Sequence, residues 1–266
     1  MRIHKYILVL ACSITFLACN DKKKEIVTSS LQEETAPQVK PASKAEVILN
    51  QAIEAHGGDL YNSANYSFAF RDNTYHFKND NQNYEYTKIS KKDNNITIDV
   101  LKNGKLYRTV NGDTVSLNEK QIKGATGGIN SVIYFATLPH KLNDASVNKT
   151  YIGDITIKGK NYAVLGITFN QEGGGEDFDD QYRYWINTET KKIDYLAYNY
   201  SVNNGGVRFR AAYNKRVLDG ITFQDYTNYE AEVGTPLDQL PELFEAGKLK
   251  ELSKIKTEDI INLSTK

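Results

Sequence analysis

Two short segments carry the residues best suited to hold a charged group. Arg183 and Trp185 stand two positions apart, and Arg208 and Arg210 repeat that spacing further along. Residues two apart in an extended chain share a face, so each pair projects together. A guanidinium offers a planar fork of donors that matches a carboxylate or a phosphate, and an aromatic neighbour suits the head group of an anionic amphiphile. Pairing with Asp194 or another carboxylate across a sheet is the competing structural reading. The run Glu172-Gly173-Gly174-Gly175-Glu176-Asp177-Phe178-Asp179-Asp180 gathers five carboxylates whose oxygens suit calcium. Its spacing matches no EF-hand, and three adjacent glycines are costly to order, so a solvated hairpin loop is expected there and no metal site.

Catalytic constellations are missing. No nucleophile-elbow pattern is present, and His76 and His140 have no partner that the sequence assigns. His56 falls at the C-terminal end of a helix, where partial negative charge favours imidazolium and a structural role. Acidic residues crowded on one loop do not define two groups flanking a glycosidic bond. Lys and Arg number 33, as do Asp and Glu, and zero formal charge leaves no broad electrostatic footprint for nucleic acid. Two cysteines make neither a disulfide framework nor a four-cysteine metal site. The expectation is a protein without cofactor or enzymatic activity.

The N-terminus supplies an address. Arg2 and Lys5 precede an apolar stretch from Tyr6 to Leu17, too short to span a bilayer and suited to a signal peptide. It ends in Phe16-Leu17-Ala18-Cys19, which resembles a bacterial lipoprotein signal, although Leu usually stands where Phe16 is and a small residue where Leu17 is. Residues 1–18 are read as the signal peptide, with Cys12 leaving with it, and Cys19 as the acylated new N-terminus. An ordinary secretory signal is the alternative. Residues 19–42, with Lys22, Lys23, Lys24, Pro37 and Pro41 and almost no large apolar side chains, read as a flexible tether.

Residues 43–266 then read as a single folded domain. Ser43 and Glu46 have capping-box spacing, and Ala45, Ile48, Leu49, Ala52 and Ile53 recur at helical intervals before Gly57-Gly58. After that, alternation takes over. Tyr66, Phe68 and Phe70 share one face, and Tyr84/Tyr86 and Ile96/Ile98/Val100 continue the period of two. Asn103-Gly104, Asn111-Gly112, Lys158-Gly159 and Asp219-Gly220 suit tight hairpins. The 18 tyrosines and 10 phenylalanines favour strands. The expected fold is mainly β (α+β): a curved antiparallel sheet or half-barrel of about ten strands, covered by a few helices. No glycine fingerprint joins a strand to a helix, and the long crossovers of a parallel sheet are absent. A short helix capped by Asn130 or Ser131, running to Pro139 and buried all round, is expected as a filler of the concave face. Residues from Pro236 to Lys256 also read as helical, broken near Gly247.

Several runs resemble one family together: Ala55-His56-Gly57-Gly58, Tyr66 to Arg71, Val132 to Pro139, Glu172 to Phe178, Tyr184-Trp185-Ile186, Asp194 to Tyr198 and Gly205 to Arg210. The chain is similar over residues 45–256 to a family of Bacteroidota lipoproteins with no established activity. Its general form looks like the lipoprotein-sorting carriers of the periplasm, antiparallel half-barrels with helices over an apolar hollow. The anchor, the Tyr/Phe-rich strands and the all-apolar helix together point to a lipid-anchored, non-enzymatic envelope protein that holds a lipid or other amphiphile. Tyr66, Phe68, Phe70 and Phe135 are the expected wall, the opposite strand parity being the alternative, and Arg183, Trp185, Arg208 and Arg210 are the expected head-group residues. The expected partner is the outer membrane through the N-terminal lipid, on the periplasmic face, because the stretch after Cys19 is mainly basic. A surface-exposed module binding glycan or peptide is the alternative function.

Overall fold

The computed structural model describes residues 41–170 and 180–264. Its first element, α1 (Lys44–His56), opens with the expected capping box. Ser43 Oγ accepts from the Glu46 amide at 3.3 Å, and the Glu46 carboxylate accepts from the Ser43 amide at 2.6 Å, satisfying donors the helix itself leaves open. Gly57 ends the helix at φ 137°. A Cβ there would lie 3.2 Å from Ile221, so the glycine also permits close approach to the sheet.

Antiparallel hairpins follow. Strands β1 (Asn65–Phe70), β2 (Asn73–Asp80), β3 (Asn83–Lys92), β4 (Asn95–Lys102), β5 (Lys105–Val110) and β6 (Asp113–Val115) form the first sheet, to which β14 (Glu258–Asn262) returns from the C-terminus. Its order is β14-β1-β2-β3-β4-β5-β6. The second sheet contains β7 (Val147–Ile157), β8 (Lys160–Phe169), β9 (Gln181–Asn187), β10 (Ile193–Tyr200), β11 (Gly206–Leu218), β12 (Ile221–Ala231) and β13 (Lys250–Ile255), in the order β13-β12-β11-β10-β9-β8-β7. All four turns expected to be tight have positive φ at both central residues, as in Asn103 (46°) and Gly104 (81°). The described residues hold fourteen strands where the sequence shows about ten. Part of the difference lies in turns without glycine: Asp93 and Asn94 take φ 50° and 64° between β3 and β4.

Cross-strand rows explain the core. One inner row of the first sheet runs Tyr66, Phe77, Tyr86, Leu101 and Leu106, register partner to register partner. These side chains pack with Ile129 and Ile133 from α2 (Glu119–Ala136) and with Phe223 of β12. The inner face of the second sheet packs Leu165, Tyr184, Ile186 and Leu196 against Ala45, Leu49 and Ala52 of α1. Its outer face is covered as well: Trp185, Val207 and Phe209 lie beneath Leu237 and Leu240, where α3 (Leu240–Glu245) begins. The sheets meet where Tyr66 Oη donates to the Leu218 carbonyl (3.4 Å) and Asn262 Nδ2 donates to Asp219 Oδ2 (2.8 Å).

Two helical expectations are corrected. The second helix does not start after Gly127-Gly128. It begins at Glu119 with an Asn118–Gln121 capping box and carries both glycines in its interior. Only Ile129 and Ile133 within it are buried, so it lies across the sheet rather than inside it. Near the C-terminus only Leu240–Glu245 is α-helical, because Gly247 turns at φ 66° and residues 250–255 pair with β12 as β13. The three-residue spacing of Leu249, Leu252 and Ile255 imitates a helix, but sheet pairing overrides it.

Candidate ligand-binding site

The hollow lies between α2, β3 and the near ends of β8 and β9. It encloses about 780 Å³, bounded by Tyr84 and Tyr86 of β3, Ile133, Tyr134 and Phe135 of α2, and Phe169 and Tyr182 of the second sheet. Alternation directs Tyr84 and Tyr86 inward, and their rings lie 4.6 Å apart. Tyr134 and Tyr184 share a hydrogen bond of 2.7 Å, and burial raises both phenols well above their ordinary range, so they remain neutral. Polar groups gather at the mouth, where Lys141 lies 3.8 Å from Asp144. A smaller polar slot of about 170 Å³ sits where Gly124 and Gly128 of α2 pass over the Asp99–Arg108 pair, whose second contact measures 2.8 Å.

At the inner end of the hollow, Phe135 touches the arginine segment. The Arg210 guanidinium carbon stands 3.8 Å from the centre of the Phe135 ring. Arg210 Nη2 donates to Tyr198 Oη at 2.9 Å, and Tyr198 stacks on Tyr182 at 5.4 Å. Arg208 is on the same face, donating to Tyr200 Oη at 2.6 Å with Glu230 at 4.0 Å. This layer of aromatic rings and guanidinium groups can hold an anion next to an apolar chain.

Residues 3–257 match a family of unknown function, DUF6503. The chain belongs to that family. No curated protein shows significant sequence similarity to it. Solved structures are similar in fold. A LolA superfamily protein from Nitrosomonas europaea is 13% identical with a TM-score of 0.50, over 82% of this chain and 93% of that one. A DUF1329 family protein from Desulfovibrio piger is 9% identical with a TM-score of 0.46, over 84% and 94%. Both sheets of this DUF6503 chain therefore follow a LolA-like fold of unclosed, curved antiparallel sheets.

Within that fold the expected site residues divide. Tyr66 and Phe68 face inward but are packed solid against Phe77, Tyr75 and Phe223. Phe70 is half-buried beside Tyr75. None of the three borders the hollow, whereas Phe135 does. Arg183 and Trp185 share a face as alternation requires, but it is the outer one. Trp185 is buried against Phe209, and Arg183 is held by Asp238 through contacts of 2.8 and 3.3 Å. Asp194 pairs with none of the four candidate residues, since it binds Lys215, Tyr162 Oη and Asn187 Nδ2. The acidic segment Glu172–Asp179 and residues 19–40, with Cys19 and most of the tether, lie outside the described residues.

Tyr84, Tyr86, Tyr134, Phe169 and Tyr182 line the hollow and had not been singled out. Alternation marks Tyr84 and Tyr86 as facing one way, but no local signal tells that β3, not β1, borders open space. The expectation for His56 is corrected too. Its Nε2 accepts from the Ile193 amide at 3.1 Å, and burial together with Lys192 and Lys215 lowers its pKa to about 3, so the imidazole is neutral. Burial outweighs the helix terminus.

Proposed function

We propose that this DUF6503 protein is a lipid-anchored envelope protein that shelters an apolar or amphiphilic ligand in the hollow under α2 and catalyses no reaction on it. The carrying observation is the space of about 780 Å³ walled by Tyr84, Tyr86, Tyr134, Phe135, Phe169 and Tyr182. A concave, mostly apolar space of this size with polar groups at its mouth is the usual form of a small-molecule site. The LolA-like fold supports the reading at the level of architecture. Phe135 borders that space, with Arg210 against its ring and Arg208 on the same strand face as the proposed head-group residues. His56 and His140 are occupied structurally, one by the Ile193 amide and the other stacked 4.9 Å from Tyr61, which favours binding over catalysis.

In this reading Cys19 carries the acyl groups, residues 19–42 are the tether and the protein faces the periplasm from the outer membrane. Native mass spectrometry of protein purified without its anchor is the test. A lipid or fatty acid that co-purifies and is released on unfolding supports the proposal. Empty protein that also fails to take up a fluorescent apolar probe overturns it. The anchor has its own check: Cys19→Ser moves the protein from the membrane to the soluble fraction.

A further inference from the structure

We infer that the hollow receives a single-chain anionic amphiphile head first, its oxyanion paired with Arg210. The inference rests on the hollow being a ligand site and adds the charge and direction of its ligand. Arg108, Arg183, Arg208 and Arg216 each have a carboxylate within 4.0 Å. Arg210 is more buried than any of these, at 8% exposed, and has no ion pair among the described residues. Its side-chain hydrogen bond goes to the hydroxyl of Tyr198, and its Nε is buried with no acceptor among the described residues. An uncompensated buried charge is strongly penalised, and stacking on Phe135 offsets only part of that. Among the described residues, none supplies a negative charge within ion-pair distance of Arg210.

Phe135 connects this charge to the hollow, because it both borders the open space and carries the guanidinium on its ring. If that ring turns aside, the oxyanion of a ligand reaches Arg210 Nε and Nη2 in the bidentate geometry a guanidinium favours. The alkyl chain then lies along Ile133, Tyr134 and Tyr86 towards the mouth. The mouth is a poor alternative for the head group, since Lys141 is already beside Asp144 and both are in contact with water. A volume of about 780 Å³ suits one such chain.

Hexadecanoate, hexadecanol and acetate separate the contributions. Delipidated wild-type protein should bind hexadecanoate about tenfold or more tightly than hexadecanol, the scale of a charged hydrogen bond. Acetate should bind far more weakly than hexadecanoate. Arg210→Gln should abolish the preference for the acid over the alcohol, and a preference that survives the substitution overturns the assignment. A wild-type protein that binds acid and alcohol equally overturns the head-group inference while the ligand-site reading stands, and one that binds neither overturns both. Acetate binding as tightly as hexadecanoate overturns the amphiphile. A measurement without any variant covers the case in which Arg210→Gln does not fold. With carboxyl-13C hexadecanoate bound to wild-type protein, a water-soluble paramagnetic agent should leave the carboxyl resonance sharp. Broadening of that resonance places the head group at the mouth and overturns the assignment.

Discussion

The two seven-stranded sheets have the same pairing but different environments. The second is covered on both faces, by α1 inside and by the segment leading into α3 outside. Among the described residues the first is covered only inside, and its outer rows hold exposed side chains such as Ile96 and Tyr107. A sheet with two dry faces is held rigidly by burial on each side. One with a single dry face gains roughly half as much and tolerates change more readily. The hollow lies between the two sheets under α2, whose Ile129 and Ile133 pack on the first sheet and whose Tyr134 and Phe135 pack on the second. In the proposed function the doubly covered sheet is the frame, and the singly covered sheet with α2 is the part that yields when a ligand enters.

The largest effect expected to test this contrast is at Trp185. Truncation to Ala should cost about 3–5 kcal/mol in urea unfolding, because the ring is buried in the outer layer of the second sheet. Tyr107→Ala, on the outer face of the first sheet, should change stability by about 0.5 kcal/mol or less. Equal losses at the two sites would remove the distinction between the sheets.

His56 joins α1 to the second sheet and makes that contact dependent on pH. Its folded pKa of about 3 lies below the unfolded value of 6.5. Between those values the unfolded chain holds the extra proton, so stability is complete above about pH 6.5 and falls as the pH drops. The slope should be about 1.4 kcal/mol per pH unit over the central part of that range. Urea midpoints measured from pH 7 to pH 4 should show it, and His56→Gln should remove that part of the slope.

Smaller effects sharpen the account of α2. A Cβ at Gly127 meets nothing within 4 Å, so Gly127→Ala should stabilise the protein by about 0.5–1 kcal/mol. It should also slow exchange of a bound apolar probe, measured by stopped-flow fluorescence. Faster exchange would mean that the helix does not limit entry. A small effect is also expected from Arg183→Gln. Its Asp238 partner is about half exposed, so the loss should be under about 1 kcal/mol, with binding of the apolar probe unchanged.

Much of this was legible in local pattern. The Ser43–Glu46 cap, the Asx-Gly turns and the alternation of Tyr66, Phe68 and Phe70 depend on neighbouring residues, and they specify antiparallel hairpins on their own. Periodicity also pairs Arg183 with Trp185 and Arg208 with Arg210 correctly, because side chains alternate strictly along a strand. Which of those faces encloses the hollow is not a local property. It depends on the segment after Pro236 folding back over Trp185 and on α2 crossing above Tyr86, contacts between residues far apart in the chain. The state of His56 is likewise set by distant residues, since Ile193 and the lysines near it arrive from the second sheet. Local chemistry determined the strands, the turns and the first cap. Only long-range packing decided where space remained open and which side chains came to surround Arg210.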